Sequence, residues 1–329
     1  MTEPTALILL PRLQVQNANA ISGPLTWGFP SPTAFTGFVH ALERRFSASL
    51  NGGFGGVGII CHHFEPQVSQ PAGKRTQVFR LTRNPLGKPD KKGESKPTAI
   101  VEEGRTHMEI SLVIAVNDYM SAKEGQYFAE DVMTAVQSRR LAGGSVLPRR
   151  EGKRFEAQYW PLADDVEGQG EVFRKLRRHL LPGFALVQRE DRLLERLTEL
   201  RVNNPQATSL DALLDLSRLN IEPNQPNPDK PGETHWGIRK KSGWLVPIPV
   251  GYAALSPLYA AGEVENARDD VTPFRFVESL YSIGEWMSPH RLSLPQQLLW
   301  HHSTDLDKGI YRCINHYFDS LTNAANGNT

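Results

Sequence analysis

Apolar and polar residues alternate along the start of the chain. After the apolar run Ala6–Leu10, polar residues occupy positions 12, 14 and 16 and apolar residues the positions between them. A period of two is typical of a β-strand with one buried face. A polar loop follows as far as Pro30. Apolar residues then recur at helical spacing from Pro32 to Phe46, which predicts a helix capped by Ser31.

The next elements complete a familiar order. Residues 57–68 and 106–116 have strand patterns, residues 124–140 predict an amphipathic helix, and a glycine-rich turn at 141–148 leads into an apolar stretch. The order is therefore strand, helix, strand, strand, helix, strand, as in ferredoxin-like folds and RNA-recognition modules. The sequence predicts an α+β protein with a ferredoxin-like (RRM-like) core.

The second half of the chain predicts additions to this core. We place the core in residues 1–148, and we expect helical and Pro-rich additions in residues 149–329 that pack on it without forming an independent domain. Residues 149–170 predict an irregular connection, and the four prolines of residues 223–231 predict an exposed loop. The predicted helices of this half are 171–180, 191–200 and 209–219.

Charge is concentrated in one segment, although the whole chain of 329 residues carries a net charge of only +1. Residues 70–97 contain eight basic and two acidic residues, whereas the rest contains 29 basic and 34 acidic residues. Strand-forming residues flank a tip rich in Gly, Pro and Lys. The sequence therefore predicts a basic, thumb-like β-hairpin over residues 70–105, inserted between the second and third strands.

Composition favours a cytoplasmic protein. Hydrophobic residues make up 39% of the chain and charged residues 22%, which suits a globular protein with an ample core. The two cysteines, Cys61 and Cys313, provide no disulfide framework and indicate a reducing compartment. The start of the chain lacks signal-peptide features, and no apolar run approaches the roughly 18 residues of a membrane helix. We expect no membrane contact.

Basic and amide side chains in three segments are candidates for binding RNA. Cationic groups neutralise phosphates, amides can bond base edges, and a glycine pair lets backbone approach a phosphate chain. The candidates are Gln16, Asn17 and Asn19 in the first loop, Lys74, Arg75, Arg80, Arg83 and Asn84 on the hairpin, and Arg139, Gly143 and Gly144 at the glycine turn. Ordinary turn chemistry accounts for the first and third groups equally well, and a solvated lysine-rich loop accounts for the hairpin tip.

Catalytic and metal-binding patterns are weak. His62 and His63 would face opposite sides of a strand, and no Cys or carboxylate spacing completes a zinc set near His301 and His302. We therefore expect no metal, no other cofactor and no catalytic residue. Two alternatives stay open: a metal-independent endoribonuclease that uses His62 or His290 as a general acid or base, and an adaptor that contacts only protein.

Several long blocks match one known family. They are LLPRLQVQNANAISGPLTWGFPSPTAFTGFVHAL, SQPAGKRTQVFRLTRNPL, RLAGGSVLP, LLPGFALV, GWLVPIPVGYAALSPLY and GEWMSPHR, in this order along nearly the whole chain. Together they resemble the Csy-type, Cas-five-family (RAMP) tail subunit of the type I-F CRISPR surveillance complex. The poorest matches are the hairpin tip, residues 149–170 and residues 221–236.

The resemblance implies a non-catalytic RNA-binding subunit with an RRM-like core and a thumb-like hairpin. Such a subunit would pair with the large subunit of the complex, and the two would hold the 5′ handle of the CRISPR RNA beside a filament of backbone subunits. A separate endoribonuclease would process the RNA. The complex would recognise target DNA, with the large subunit making most of the contacts to the short motif beside the target.

Overall fold

One antiparallel sheet contains most of the strands. The computed structural model describes residues 3–74, 76–83, 89, 91, 93, 98–223 and 236–319. The strands are β1 (Ala6–Asn19), β2 (Ile21–Gly23), β3 (Thr26–Trp27), β4 (Phe54–Pro66), β5 (Val68–Ser69), β6 (Val78–Phe79), β7 (Leu81–Arg83), β8 (Ile100–Glu102), β9 (Arg105–Val116), β10 (Arg140–Leu141), β11 (Gly144–Val146), β12 (Gln158–Pro161), β13 (Phe184–Gln188), β14 (Ile221–Pro223), β15 (Trp236–Ile238), β16 (Trp244–Ala254), β17 (Val277–Met287), β18 (Leu299–Asp305) and β19 (Ile310–Asn315). The α-helices are α1 (Pro32–Arg45), α2 (Ala122–Gln137), α3 (Val166–Leu176), α4 (Glu190–Asn203) and α5 (Ser209–Ser217), and short 3-10 helices cover Lys153–Phe155, Arg177–Leu180, Pro289–Arg291 and Pro295–Gln297.

The strands of the main sheet do not follow chain order. Their sequence across the sheet is β10, β11, β1, β9, β4, β13, β17, β16, β19, β18, and all neighbours run antiparallel. The outer edge of β1 is shared, because β12 pairs with residues 6–9 and β11 with residues 15 and 16. The expectation of an irregular connection over residues 149–170 is therefore wrong for β12, which is a strand of this sheet.

The inner edge of β4 is shared in the same way. Val57 and Gly58 pair with β18, whereas Ile60 and Cys61 pair with β13. Since β13, β17, β16, β19 and β18 pair in succession, the pairings return to β4 and close a ring of six strands. The second half of the chain therefore supplies five strands to the ring, far more strand than the helical and Pro-rich additions that the sequence predicts.

Prolines in β16 explain part of the difference between the predicted and observed strand content of the second half. Pro247 and Pro249 lie at alternate positions and pair with β17, so their missing N–H groups fall on the opposite edge. On that edge β19 pairs only with residues 251–253, beyond both prolines. The β16–β17 ladder continues through both prolines and shifts register only after Pro249, although the prolines obscure the strand pattern in the sequence.

Both faces of the sheet are covered at the start of β1. Ile8 and Leu10 lie in the core that α1 and α2 cover, and Leu7 and Leu9 lie in a second core with Phe173 of α3. This is why residues 6–10 are continuously apolar, as is usual for a strand buried on both sides. The single buried face that the alternation predicts is therefore found only further along β1, where positions 12 and 14 are half-buried and position 16 is exposed.

Local sequence fixes the starts of the two helices on this face. The Ser31 hydroxyl oxygen accepts a hydrogen bond from the Thr33 N–H at 3.1 Å, and Pro32 occupies the first helical position. At α2, Ser121 and Glu124 form a reciprocal capping box. Among the described residues no helix is both long and apolar enough to cross a membrane.

The basic arm, residues 70–105, consists of two short ladders in the part that the structure describes. β6 pairs with β5, which precedes the arm, and β7 pairs with β8. The sequence places strand-forming segments at both ladders, and Arg80 lies between β6 and β7. Most of the tip lies outside the described residues.

Candidate nucleic-acid interface

β1 ends in a bulge formed by two of the candidate amide residues. The ladder with β9 shifts register after Val15, so that Gln16 and Asn17 together oppose His107. Asn17 has a φ of 56°, a left-handed conformation that Asn tolerates better than most residues. Its side-chain oxygen accepts a hydrogen bond from Nε2 of Gln67 at 2.6 Å, and its backbone N–H donates to Nδ1 of His107 at 3.3 Å. The Asn17 side chain therefore ties the bulge to the end of β4.

The other two amides have different environments. The side chain of Asn19 bonds the backbone of Ile21 twice, through Nδ2 to the carbonyl at 2.7 Å and through Oδ1 to the N–H at 3.0 Å. That is turn chemistry, the alternative that the sequence left open for this group. Gln16 is exposed and lines a pocket of about 220 Å³ with His63 and His107. Gln16 is thus the amide best placed to meet a ligand.

The glycine turn lies directly beside the end of β1. Ala142 and Gly143 have φ values of 50° and 76°, the pattern of a type I′ turn between β10 and β11. The Ala142 carbonyl accepts a hydrogen bond from the Asn19 N–H at 2.8 Å. A Cβ on Gly144 would come within 2.7 Å of the Gln16 carbonyl oxygen, whereas a Cβ on Gly143 would meet no atom within 4 Å. Gly144 therefore serves close backbone packing, and Gly143 is open to solvent.

Cationic side chains lie on the glycine turn and on the arm, the two segments that flank this end of β1. Arg139, immediately before β10, is half-buried, and its Nε atom has no hydrogen-bond partner among the described residues. Lys74, Arg80 and Arg83 are exposed, and Nη1 of Arg83 donates to the Thr98 carbonyl at 3.1 Å, across the arm. The remaining two candidates, Arg75 and Asn84, lie outside the described residues.

Aromatic and backbone contacts join the arm to the first loop. The rings of Trp27 and Phe79 meet edge to face with centroids 5.4 Å apart. The Ala20 N–H donates to the Gly104 carbonyl at 2.9 Å. Loop and arm therefore form one continuous surface, which we call the β1-end surface: residues 16–30, 67–74, 76–83, 98–107 and 139–146.

An apolar cavity of about 530 Å³ opens beside the first loop. Its lining includes Trp27 from the loop, Phe184 of β13, Trp244 of β16 and the buried Trp286 of β17. Trp244 is exposed and meets Phe184 edge to face, with ring centroids 5.4 Å apart. An aromatic-lined cavity of this size can accept a flat ring.

The two candidate histidines differ in accessibility. Both ring nitrogens of His62 are occupied, Nδ1 by the Pro182 carbonyl at 2.5 Å and Nε2 by the Ser111 hydroxyl at 2.6 Å. Burial lowers the pKa of His62 to about 4, and the nearby Arg12 contributes in the same direction. His290 is exposed on a short 3-10 helix, where its carbonyl accepts a hydrogen bond from Arg177 at 3.1 Å. Among the described residues no three His, Cys, Asp or Glu side chains are grouped as a metal site would need.

Sequence reasoning missed three residues of the β1-end surface, Gln67, His107 and Trp27, and noted Phe79 only as an aromatic side chain beside the basic residues of the arm. Gln67 and His107 hold the bulge, with their side-chain nitrogens 2.9 Å apart, and Trp27 and Phe79 join loop to arm. Gln67 and His107 are polar residues just before and just after the inserted arm, and this position was a usable sequence signal for both. No sequence pattern signals the contact between Trp27 and Phe79, because loop and arm meet only in three dimensions.

Comparison with known proteins assigns a family. The family model described as "CRISPR-associated protein (Cas_Csy2)" matches residues 8–313. The chain belongs to the Csy2 family of CRISPR-associated proteins. A relative from Pseudomonas aeruginosa (strain UCBPP-PA14), named CRISPR-associated protein Csy2, is 54% identical over 319 residues, which are 95% of this chain and 96% of the relative. The part matched by the Csy2 model contains β1 from Ile8 onward, the arm and the glycine turn, so the whole β1-end surface lies within it.

Proposed function

We propose that this chain is the Cas-five-family (RAMP) tail subunit of a type I-F CRISPR surveillance complex. In this role it binds the 5′ handle of the CRISPR RNA together with the large subunit, beside the backbone subunits, and thereby contributes to RNA-guided recognition of target DNA. Membership of the Csy2 family and the block resemblance support the assignment. We also propose a cytoplasmic location, since CRISPR RNA is made there.

The observation that carries the RNA-binding proposal is the composition of the β1-end surface. Exposed Gln16, the open Gly143 and the exposed cations Lys74, Arg80 and Arg83 lie on elements that contact one another. Cations neutralise RNA phosphates, and amides bond the edges of unpaired bases. The aromatic cavity beside the loop offers a place for a base turned out of the stack.

We propose a ferredoxin-like core for residues 6–146. Within the main sheet the four relevant strands lie in the order β11, β1, β9, β4, all antiparallel, with α1 following β1 and α2 following β9. In a split βαβ arrangement the first and third strands are likewise central neighbours. α1 and α2 pack on one face of these strands, which leaves the other face at the end of β1 available for RNA.

A charge-reversal experiment tests the proposal. We expect Arg80→Glu/Arg83→Glu to weaken retention of CRISPR RNA in the co-expressed complex by roughly tenfold for each phosphate that no longer meets a cation. The matched control is Lys123→Glu/Lys175→Glu, which makes the same change of charge at exposed positions of α2 and α3. RNA retention measured by quantitative sequencing of co-purified RNA should fall only in the arm variant. Equal retention in both variants would remove the arm from the RNA path.

We further propose that the chain does not cut RNA. The geometry of His62 supports this, because a histidine whose two nitrogens are both hydrogen-bonded and whose pKa is about 4 is poorly suited to general acid–base catalysis near neutral pH. Incubation of the purified chain with repeat RNA in EDTA should leave the RNA intact. Specific cleavage that His290→Ala abolishes would establish the endoribonuclease alternative instead.

A further inference from the structure

The aromatic cavity beside the first loop has a packed floor and an exposed mouth. On its floor, the ring of Phe29 meets the ring of Trp286 edge to face with centroids 4.8 Å apart and lies 6.0 Å from the ring of Phe64. At its mouth, Trp27 and Trp244 are 55% and 58% exposed. Indole rings that face solvent beside a preformed cavity provide stacking surfaces for a flat ligand.

One polar atom of the cavity lining has no partner in the described part of the chain. The hydroxyl oxygen of Thr26 is buried, and none of the described residues forms a hydrogen bond with it. A buried hydroxyl without a partner destabilises the free chain, because its hydration is lost and nothing replaces it. A ligand with a hydrogen-bonding edge would satisfy this hydroxyl, whereas a purely apolar ligand would not.

The loop that carries Thr26 is held in place on both sides of that residue. The Leu25 N–H donates to the Tyr281 hydroxyl at 3.3 Å, and the Gly28 N–H donates to the Ala20 carbonyl at 2.7 Å. A group that is already fixed loses little further freedom when a ligand binds, so little of its hydrogen bond is offset by ordering. Thr26 is therefore well suited to discriminate between ligands.

The edge of β16 supplies a second polar group. Pro247 and Pro249 line the cavity, and at these two positions the backbone polar groups point away from β17. On that side the Pro249 carbonyl accepts a hydrogen bond from the Ser31 hydroxyl at 2.8 Å. The Pro247 carbonyl lies two residues earlier in the same strand and therefore faces the same side, where it can accept from a ligand.

The mouth of the cavity adjoins the basic arm. Trp27 meets Phe79 of the arm, and the next residue, Arg80, is exposed. A phosphate chain that lies on the arm would therefore pass the mouth, with its unpaired bases free to turn inward. An apolar side chain of a protein would fit the rings, but it would leave the Thr26 hydroxyl unpaired and would not use the cation. A nucleobase on a phosphate chain uses the rings, the polar groups and the cation together.

We propose that the cavity binds one unpaired base of the CRISPR RNA handle, which stacks on Trp244 and forms a hydrogen bond with the Thr26 hydroxyl. The inference rests on the proposed function, which places the handle on the β1-end surface. It adds two residues that determine specificity, and one of them, Trp244, lies outside that surface. The cavity thereby becomes a site that distinguishes one handle position from the others.

Competition between RNAs tests the proposal in the assembled complex. The complex is formed from its purified subunits on an equimolar mixture of unmodified synthetic CRISPR RNA and the same RNA with one abasic handle nucleotide. Each handle position is made abasic in turn, and the captured RNAs are quantified by mass spectrometry. The ratio of the two RNAs is independent of how much complex forms, so a variant that assembles poorly still gives a valid result.

One handle position should respond to the cavity variants. The parent complex should prefer the unmodified RNA at that position by roughly tenfold, and Trp244→Leu should lower this preference to about threefold or less. Thr26→Val, which keeps the shape and removes the hydroxyl, should lower it about threefold. The matched controls are Trp236→Leu, at a tryptophan of β15 that is 66% exposed, and Thr304→Val, at an exposed position of β18; both should leave every ratio unchanged.

Thermal unfolding of the isolated chain supplies a second readout. Since the Thr26 hydroxyl is buried without a partner among the described residues, Thr26→Val should raise the melting temperature while it lowers the RNA preference. A residue with a merely structural role would not combine these two effects. A lower melting temperature would show that the hydroxyl is already bonded in the free chain and would overturn its assignment to the base.

Two results would overturn the cavity proposal as a whole. One is a set of ratios that Trp244→Leu leaves unchanged at every handle position. The other is an equal loss of subunit recovery in Trp244→Leu with every RNA, which would place a protein side chain in the cavity. If the Arg80→Glu/Arg83→Glu variant loses RNA while Trp244→Leu alters no ratio, RNA binding stands and the cavity proposal fails. The reverse pattern would remove the arm and leave the cavity.

Discussion

Gly144 offers a direct test of how the glycine turn is attached to β1. A Cβ added there would lie 2.7 Å from both the Ala18 nitrogen and the Gln16 oxygen, and 2.8 Å from the Ala18 Cα. All three are backbone atoms of β1, so no side-chain rotation can relieve the overlap. In Gly144→Ala, β11 must therefore move away from β1, where residues 15 and 16 pair with residues 146 and 145.

The expected size of the effect follows from the overlap. Overpacking of this kind costs typically about 1–3 kcal/mol. Gly37, exposed inside α1 with nothing within 4 Å of an added Cβ, provides the opposite case. Alanine there lowers the entropy of the unfolded chain and favours the helix, so Gly37→Ala should stabilise by about 0.5–1 kcal/mol. The same substitution, glycine to alanine, is therefore expected to destabilise the protein at position 144 and to stabilise it at position 37.

Chemical denaturation and hydrogen exchange measure both parts of this prediction. Gly144→Ala should lower the free energy of unfolding. It should also speed hydrogen exchange at the backbone amides of Val146 and Leu147, which donate to the backbone carbonyls of Arg139 and Gln14 respectively. Gly37→Ala should raise the free energy and leave those amides unchanged. Unaltered stability and exchange in Gly144→Ala would refute the close packing of the turn on β1.

Two further predictions concern buried charge and pH. The Arg189 guanidinium lies between the buried carboxylates of Asp191 and Glu285, so Arg189→Met should cost about 3–5 kcal/mol in chemical denaturation. Arg192→Met, at a half-exposed pair with Glu195, should cost under about 1 kcal/mol, and equal costs would contradict the network. Burial lowers the pKa of His62 from 6.5 to about 4, so between these pH values the folded chain binds fewer protons than the unfolded chain. The free energy of unfolding is therefore highest above pH 6.5 and falls by up to roughly 3 kcal/mol as the pH drops toward 4. His62→Gln should flatten the unfolding free energy measured across this range, and an unchanged slope would assign the pH dependence to other groups.

Local pattern predicted the elements of the first half well. The cap at Ser31 and the apolar spacing of α1 and α2 are properties of neighbouring residues. The structure has α1 where the sequence places it, whereas α2 begins two residues and ends three residues earlier than predicted, so that Arg140 lies in β10. The second half was harder. Alternate prolines in β16 and the short strand β12 leave weak patterns, since their strand character comes from pairing with distant segments.

The candidate site divides in the same way. The sequence identified Gln16, Arg80 and Gly143 by residue type, and the structure brings their elements together at the end of β1. It could not separate Asn17 and Asn19, whose amides hold a bulge and a turn, from Gln16, whose side chain lines an open pocket. That distinction depends on which hydrogen-bond partners are within reach.

The sequence by itself determined the local elements, the concentration of positive charge in the arm and, through its long matching blocks, the family. These depend on residue order alone. Only the tertiary structure decided that five later strands close a ring on β4 and that loop and arm share one surface. Each of these depends on contacts between segments far apart in the chain, and burial and pairing there follow from the packing of the whole sheet.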